Sequence, residues 1–522
     1  MSTLSNRDPV IIVGGGPVGM TAALLLARAS VPTVVLEAEP NRTPIGSKSI
    51  CVQRDVLDIL QRAGVGDAVA DAGVTWYRGR TFYREHEVLD LTFPEVPGSA
   101  WPPFVNTPQS VVEMLLEQRI AGEPLVDLRY DHRVTGVEQD DDGVTAIVDG
   151  RKPLRGTHCV VADGSRSTVR RALGLSFEGH SFPDKFLIAD VRVDLGLERP
   201  ERRFYFDPPW NPGRQVLVHP QPDGVVRIDW QVPEEFDLDA EHASGVLDAR
   251  IRKVAGDAEY EIVWMSSYTF HQRCVPTMRV GRVLLAGDAA HLMSPFGARG
   301  LNSGIADAEN AAWKIALDRD GLAGPGLLES YDIERRAAAA ENLRITGTTM
   351  RFLVPSTEED RGRRLEVLER SVHDESARPL IDSGKLSEPF WYVDSPLTTR
   401  PSTVDYSAFP REPGVPRPAV PGVLCPDVRL DWGMRLREYV GPKFVLLTHQ
   451  CPLDSAPSEL LAQPVPLEHA DWDGPLRTVL DLQPETAALV RPDGYLTAVL
   501  AGDDLRDELD TALRRATGWC DR

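Results

Sequence analysis

Val10-Ile11-Ile12-Val13-Gly14-Gly15-Gly16-Pro17-Val18-Gly19-Met20 is the stretch on which the reading of the fold turns. Four β-branched residues in a row lack the alternation of a half-exposed strand and suit a strand buried on both faces. The glycine turn follows, and Met20 to Arg28, rich in Ala and Leu, reads as a helix that ends before Val31-Pro32. Thr33-Val34-Val35-Leu36 is a second buried strand, so the chain opens on a βαβ unit. Within the turn, Gly14-Gly15-Gly16-Pro17-Val18-Gly19 satisfies G-x-G-x-x-G. Gly14 permits the tight turn, Gly16 lets backbone approach a pyrophosphate, and Gly19 lets helix and strand pack closely. The free N–H groups and dipole of the helix start, at Pro17 and Val18, favour the diphosphate. Glu37 ends the second strand, where a dinucleotide site places an acid that accepts hydrogen bonds from the adenosine ribose. The motif predicts dinucleotide binding but does not separate NAD from FAD.

Working outward, 522 residues are too many for one ordinary core, so two or three domains are expected. An apolar fraction of 42% and a charged fraction of 26% belong to a soluble globular protein. The net charge of −21 argues against a nucleic-acid partner, which needs clustered Lys and Arg. Six scattered cysteines, Cys51, Cys159, Cys274, Cys425, Cys451 and Cys520, show neither C-x-x-C nor metal spacing and read as free thiols. The polar N-terminus has no signal-peptide region, and no apolar run is long enough to span a membrane, so a cytoplasmic location is expected.

Two more buried strands, around Val160-Val161-Ala162 and Arg282 to Ala286, each run into a conspicuous loop. Ala162-Asp163-Gly164-Ser165-Arg166-Ser167-Thr168-Val169-Arg170 has the form D-G-x-x-S-x-x-R. The second loop carries Gly287-Asp288-Ala289-Ala290-His291 and then Pro295-Phe296-Gly297-Ala298-Arg299-Gly300-Leu301-Asn302-Ser303-Gly304. Asp288 at a strand end suits a sugar-alcohol hydroxyl such as the ribityl chain of a flavin. The loop from Pro295 to Asn302 offers backbone N–H groups at a helix start to the anionic edge of a reduced ring. Gly297 and Gly300 leave room for a flat cofactor. Between the loops, Phe186 to Val193 and Val225 to Val232 alternate as antiparallel strands do.

In these three motifs, their order and spacing, the chain resembles the single-component FAD-dependent aromatic hydroxylases, the para-hydroxybenzoate and phenol hydroxylase group, over roughly residues 8–350. The resemblance implies an α/β fold: a Rossmann-like FAD-binding domain, an inserted antiparallel-sheet substrate domain and a thioredoxin-like C-terminal domain. The domain reading is 1–75, 105–180 and 271–395 for FAD, 76–104 and 181–270 for substrate, and 401–522 for the tail, after a Pro-rich linker. By resemblance Asp163, Gly164, Gly287, Asp288, Pro295, Gly300, Leu301 and Asn302 are cofactor residues. Gln109 looks like a family glutamine at the ribityl or phosphate region. Lys48 stands where the family has an arginine on the pyrophosphate, keeping the charge but losing the bidentate fork.

The implied activity is hydroxylation of an aromatic, phenolic substrate with NADPH or NADH and O₂ through a flavin C4a-hydroperoxide, the protein orienting substrate and excluding water. Phenol activation asks for a residue that helps remove the hydroxyl proton, and His219 and Tyr205 are the candidates. Phe206, Trp210, Arg227 and Asp229 are further candidates near the ring, only some of which the alternation turns toward it. His291 reads as a cap of the following loop rather than as a base. In the tail, Cys451-Pro452-Leu453-Asp454 lacks the second cysteine of a redox pair. The tail therefore reads as structural, a candidate subunit contact in a homodimer. A flavin-dependent halogenase is a rival, although Trp230-Gln231-Val232-Pro233 only faintly echoes its W-x-W-x-I-P motif. A disulfide reductase lacks its cysteine pair, since Cys51 stands alone. A non-catalytic flavin-binding protein would show no substrate-stimulated NAD(P)H oxidation.

Overall fold

The computed structural model describes residues 8–44, 46, 49–93, 100–402, 404–406, 417–451, 461–471, 474–502 and 504–519. The glycine-turn strand Val10–Val13 is wholly buried and lies at the centre of a six-stranded sheet. It pairs in parallel with Thr33–Leu36 on one side and Cys159–Val161 on the other. Thr33–Leu36 is flanked by Val126–Arg129, and Cys159–Val161 by Val283–Leu285 and then the short antiparallel Arg279–Val280. Helix Pro17–Arg28, longer at its start than the sequence reading because Pro17 sits at the first helical position, covers one face with helix Arg299–Arg319. All the sheet's conspicuous loops therefore leave from the carboxyl ends of parallel strands, where α/β folds bind ligands.

An eight-stranded sheet stands beside it, in the order His291–Leu292, Tyr260–Cys274, Glu178–Val193, Val225–Val232, Gln215–Pro220, Glu201–Phe206, Arg78–Tyr83, His86–Thr92. One pair departs from the expected antiparallel arrangement: Glu201–Phe206 runs parallel to Arg78–Tyr83. The two strands are distant in sequence, so no hairpin dictates their direction. One face packs Leu187, Ala189, Val216, Ile228 and Trp230 against Leu247 and Ile251 of the helix Val246–Ala255. The opposite face carries Phe186, Phe204, Phe206 and Leu217 toward Phe296 of the second loop.

The last residues form a four-stranded sheet, Ala462–Pro466, Phe444–His449, Thr486–Val490, Leu496–Leu500, with helix Leu505–Ala516 packed on it. Phe444, Leu446 and Leu489 of this unit share a core with Trp313, Leu317 and Leu327. A buried charge cluster locks the same junction. Glu334 accepts from Lys314 Nζ at 2.7 Å and from Arg491 Nη1 at 2.6 Å, and Arg491 also pairs with Asp493 at 2.6 Å. Burial lowers the Lys314 ammonium to about 8, while the two cations hold Glu334 well below the carboxylate range despite its burial. Removing one member would strand a buried charge, a loss of about 3–5 kcal/mol. Among the described residues no helix is long and apolar enough to cross a membrane.

Candidate functional site

One cavity of about 890 Å³ joins the two sheets, lined by Gly16, Pro17 and Val18, by Gly164, by Gly287 and Asp288, and by Pro295 to Leu301. The turn that opens it cannot take a larger residue. Gly14 has φ +106° and a Cβ there would lie 2.3 Å from the Ala162 carbonyl oxygen, while one on Gly19 would lie 2.0 Å from that of Gly14. By contrast, Cβ atoms added at Gly16 or Gly300 would meet nothing within 4 Å. Backbone thus faces open space at both helix starts, Pro17–Arg28 and Arg299–Arg319, which is what a diphosphate and a flat ring need. Ala298 caps the second helix at φ +55°, a left-handed conformation that costs a non-glycine residue about 1–3 kcal/mol.

Around that backbone, side chains hold the loops. Glu37 Oε2 accepts the Gly15 N–H at 2.7 Å and Oε1 that of Glu39 at 2.9 Å, so it braces the turn and is not part of the cavity lining. Asp163 Oδ2 caps the helix Thr168–Ala172 through the Thr168 N–H at 2.8 Å, and Gly164 reaches the cavity. Arg170 of the same motif donates to the carbonyls of Ala289 and Ser165, tying the two loops together. Asn302, buried, donates to the Cys51 and Ala298 carbonyls and accepts the Gln53 N–H at 3.0 Å; its side chain is spent on the loop. Gln109 lines the cavity at the start of helix Gln109–Ala121, with its amide on Glu113 at 2.8 Å. His291 Nε2 meets Asp307 at 2.8 Å, and Asp307 accepts the Gly287 N–H at 2.9 Å. It braces the loop behind the cavity. Lys48 lies outside the described residues.

At the far wall the pleat decides which residues face in. Phe186, Ile188, Arg202, Leu217, His219, Arg227 and Asp229 line the cavity. Tyr205 does not: it alternates away from Arg202, Phe204 and Phe206, stacks on Phe82 at 4.9 Å and meets Trp210 edge-on at 5.6 Å. The expectation that Tyr205 is a substrate-face base is thereby corrected, since adjacent residues of a strand point to opposite faces. Trp210 lies with it. Phe206 faces the other way but is buried against Phe204 and Phe352 short of the cavity.

The polar end of this wall has a definite charge pattern. Arg227 is closed bidentately on Asp190 at 2.8 Å for both bonds. His219 Nε2 stands 3.9 Å from Asp229 Oδ2, too far for a direct hydrogen bond. Burial first, then Arg202 and Arg227, keep His219 neutral, well below its usual titration range. Burial lifts the Asp229 carboxyl to about 7 against the pull of Arg227 and Arg202. Its Oδ1 is buried with no hydrogen-bond partner among the described residues.

The first part of the chain, residues 7–346, matches the family model described as an FAD-binding domain. The chain belongs to the FAD-binding domain family. Within it, the 3-(3-hydroxy-phenyl)propionate/3-hydroxycinnamic acid hydroxylase of Mycobacterium sp. (strain JLS) is 32% identical over 362 residues, 68% of this chain and 63% of that protein. The chain thus spans less than two thirds of that relative's length. Two solved structures are matched almost end to end, over 98% of this chain and 99% of theirs. The flavin-dependent monooxygenase PieE, in complex with FAD and substrate, superposes with a TM-score of 0.85 at 23% identity. The OxyS anhydrotetracycline hydroxylase from Streptomyces rimosus does so with 0.71 at 27%. FAD is the dinucleotide, and the open backbone at Gly16 and Gly300 fits it.

Three groups of lining residues escaped the sequence reading. Arg202 is one; a charge in register with Phe204 and Phe206 on an inward face was the signal for it. Arg54, Asp55 and Arg417 form another, with Arg417 reaching from the C-terminal part to Asp55 at 2.7 Å. The segment 383–388 completes the wall beside Gly297 and has no periodicity to announce it.

Proposed function

We propose that the chain is an FAD-dependent aromatic hydroxylase that consumes NADPH or NADH and O₂ and acts on a phenolic ring, most naturally one within a polycyclic molecule. The observation that carries this reading is the single cavity, with a dinucleotide cradle at one end and the His219–Asp229 wall at the other. The near end-to-end likeness to an anhydrotetracycline hydroxylase at 27% identity supports the polycyclic substrate. Bound FAD would accept a hydride from the nicotinamide and pass one oxygen atom of O₂ to the ring. The chain's own part is to orient the ring, keep water out and take the hydroxyl proton.

For that proton the environment favours Asp229 over His219. An acceptor works best with a pKa near the working pH, and Asp229 at about 7 meets this while His219 resists protonation. Pro295, Gly300, Leu301 and the Asp288 carboxylate are read as flavin contacts, Gln109 and Lys48 as ribityl and phosphate contacts. The residues from 401 onward are read as a thioredoxin-like unit without a redox pair; Cys451 forms no disulfide among the described residues. Purified protein supplied with NADPH, ¹⁸O₂ and a panel of phenols and hydroxylated polycyclic quinones should place one ¹⁸O atom in a new ring hydroxyl. Label arriving from H₂¹⁸O, or a halogenated or unoxygenated product, would overturn the reading.

A further inference from the structure

The C-terminal part of the chain reaches the cavity at the start of helix Arg54–Arg62. Asp55, in the first turn, accepts both terminal nitrogens of Arg417, Nη1 on Oδ1 at 2.9 Å and Nη2 on Oδ2 at 2.7 Å. Arg437 Nη1 donates to the same Oδ1 at 2.7 Å and to Asp58 Oδ2 at 2.9 Å, while its Nε and Nη2 donate to the Cys425 carbonyl. Against its burial, the two guanidiniums hold the Asp55 carboxyl well below the usual carboxylate range. At the far end of the helix, Arg62 Nη1 donates to the Arg437 carbonyl at 2.7 Å. A bidentate arginine fixes a direction as well as an energy, so Arg417 sets where this helix starts.

Gln53, the residue that caps the helix, carries that placement to the second loop. Its N–H donates to Asn302 Oδ1 at 3.0 Å, and its Nε2 makes a longer bond of 3.4 Å to the Gly297 carbonyl. Between those two residues lies Ala298, at φ +55°, whose carbonyl accepts from Asn302 Nδ2 at 2.6 Å. A left-handed non-glycine residue persists only where its surroundings over-determine it. The Ser387 N–H on the Gly297 carbonyl at 3.0 Å is another such tie. Direct contacts thus run from Arg417 to Asp55, and from Gln53 to Asn302 and the strained turn. Arg417, Asp55 and Gln53 all line the cavity that Gly297, Ala298 and Gly300 line.

We propose that Arg417 is a positioning residue of the cofactor site: through Asp55 and Gln53 it holds the loop 297–302 in the conformation that receives the flavin ring. The C-terminal part of the chain is then a working wall of the site and not a passive attachment. The proposal rests on reading that loop as the ring side of the cradle, and it depends on no particular reaction. Arg437 makes it open to test, because Asp55 keeps one guanidinium when Arg417 is replaced and no carboxylate is stranded.

The test titrates the full chain, stripped of its flavin, with FAD and separately with ADP, the half of FAD that lacks the ring. Arg417→Met should weaken FAD binding about tenfold, the loss of one charge-assisted pair, and leave ADP binding within about twofold. Arg417→Lys, which keeps the charge but not the fork, should recover part of the FAD affinity. Asn302→Ala should weaken FAD binding by itself, and adding Arg417→Met to it should cost less than about twofold more, since both act on one loop. Amide hydrogen exchange in Arg417→Met should quicken in 49–55 and 295–303 and stay at the wild-type rate in 186–193. FAD binding unchanged in Arg417→Met, an equal loss of ADP binding, no recovery in Arg417→Lys or a full additive loss in the double variant would each overturn the proposal. Exchange separates it from the reading on which it rests. Faster exchange in 295–303 with FAD binding unchanged would place the ring elsewhere, removing the ring-side reading and this proposal with it. Exchange and FAD binding both unchanged would remove the clamp and leave the ring-side reading standing.

Discussion

The two ends of the cavity are built from different material. The cofactor end is backbone: a glycine turn, two helix starts and a loop whose polar side chains, Glu37, Asn302 and Asp307, are occupied in holding the turns. The substrate end is side chain: Arg202, His219, Arg227 and Asp229 project from three strands of one sheet face. Backbone can cradle a dinucleotide only where Cβ atoms are missing, so the cofactor end tolerates little change. A side-chain wall can be rewritten residue by residue, which lets one cradle serve many substrates.

The sharpest break of this contrast is Gly14→Ala. A positive φ of +106° and a backbone oxygen 2.3 Å from the new Cβ leave no relaxation open. We expect a loss of about 4 kcal/mol from strain and overpacking together, with protein recovered largely free of FAD. Released flavin per mole of protein and the urea midpoint read it directly. Near-normal flavin content would mean that the turn can be rebuilt and that the cofactor end is no stricter than the other.

That strictness explains what the sequence revealed. G-x-G-x-x-G, D-G and G-D are local strings because each encodes a turn, and the strands before them are short buried runs; Val225–Val232 was read with its observed bounds. The substrate wall is legible only once the register is known. Arg202, His219 and Asp229 come from strands joined by sheet order, not sequence, and a one-residue error of face exchanges Tyr205 for Phe204. Segment 383–388 and Arg417 are placed by packing from outside the two sheets, through contacts such as Arg417 on Asp55.

The second way to sharpen the contrast is a pH measurement on the substrate end. Asp229 has its folded pKa raised to about 7, above its unfolded value. The folded state therefore binds the extra proton, and Asp229 subtracts stability as pH rises from about 4 through 7. Asp229→Asn removes that dependence. Between pH 5 and 8 the variant should gain roughly 3 kcal/mol on the wild type, measured as the difference in unfolding free energy of the FAD-loaded proteins. A difference flat with pH would show that Asp229 ionises freely and is no proton acceptor at neutral pH.

Asp288→Ala tests a cofactor-end position where a side chain, rather than backbone, is read as the contact. It is exposed on the cavity at a strand end. Its loss should weaken FAD retention by about 2 kcal/mol, with the fold intact and activity partly restored by excess FAD. Retention unchanged would remove the Asp288 carboxylate from the cofactor contacts.

The smallest effect belongs to Tyr205→Phe, and it decides whether the sheet face has been read correctly. Tyr205 neighbours Phe204 in sequence, yet its ring packs between Phe82 and Trp210 on the side away from the cavity. A Phe keeps the stacking, whose energy lies in the ring, and loses only a hydroxyl on the half-buried outer side. Turnover should stay within about twofold, some 0.4 kcal/mol in the barrier, with no change in the pH profile. His219, only a strand away but facing in, offers the internal control: His219→Gln should lower turnover more than Tyr205→Phe does. A tenfold loss in Tyr205→Phe, about 1.4 kcal/mol, would mean that the hydroxyl reaches substrate. The sheet would then present both faces to the chemistry, and the division between a backbone cradle and a one-sided side-chain wall would fail.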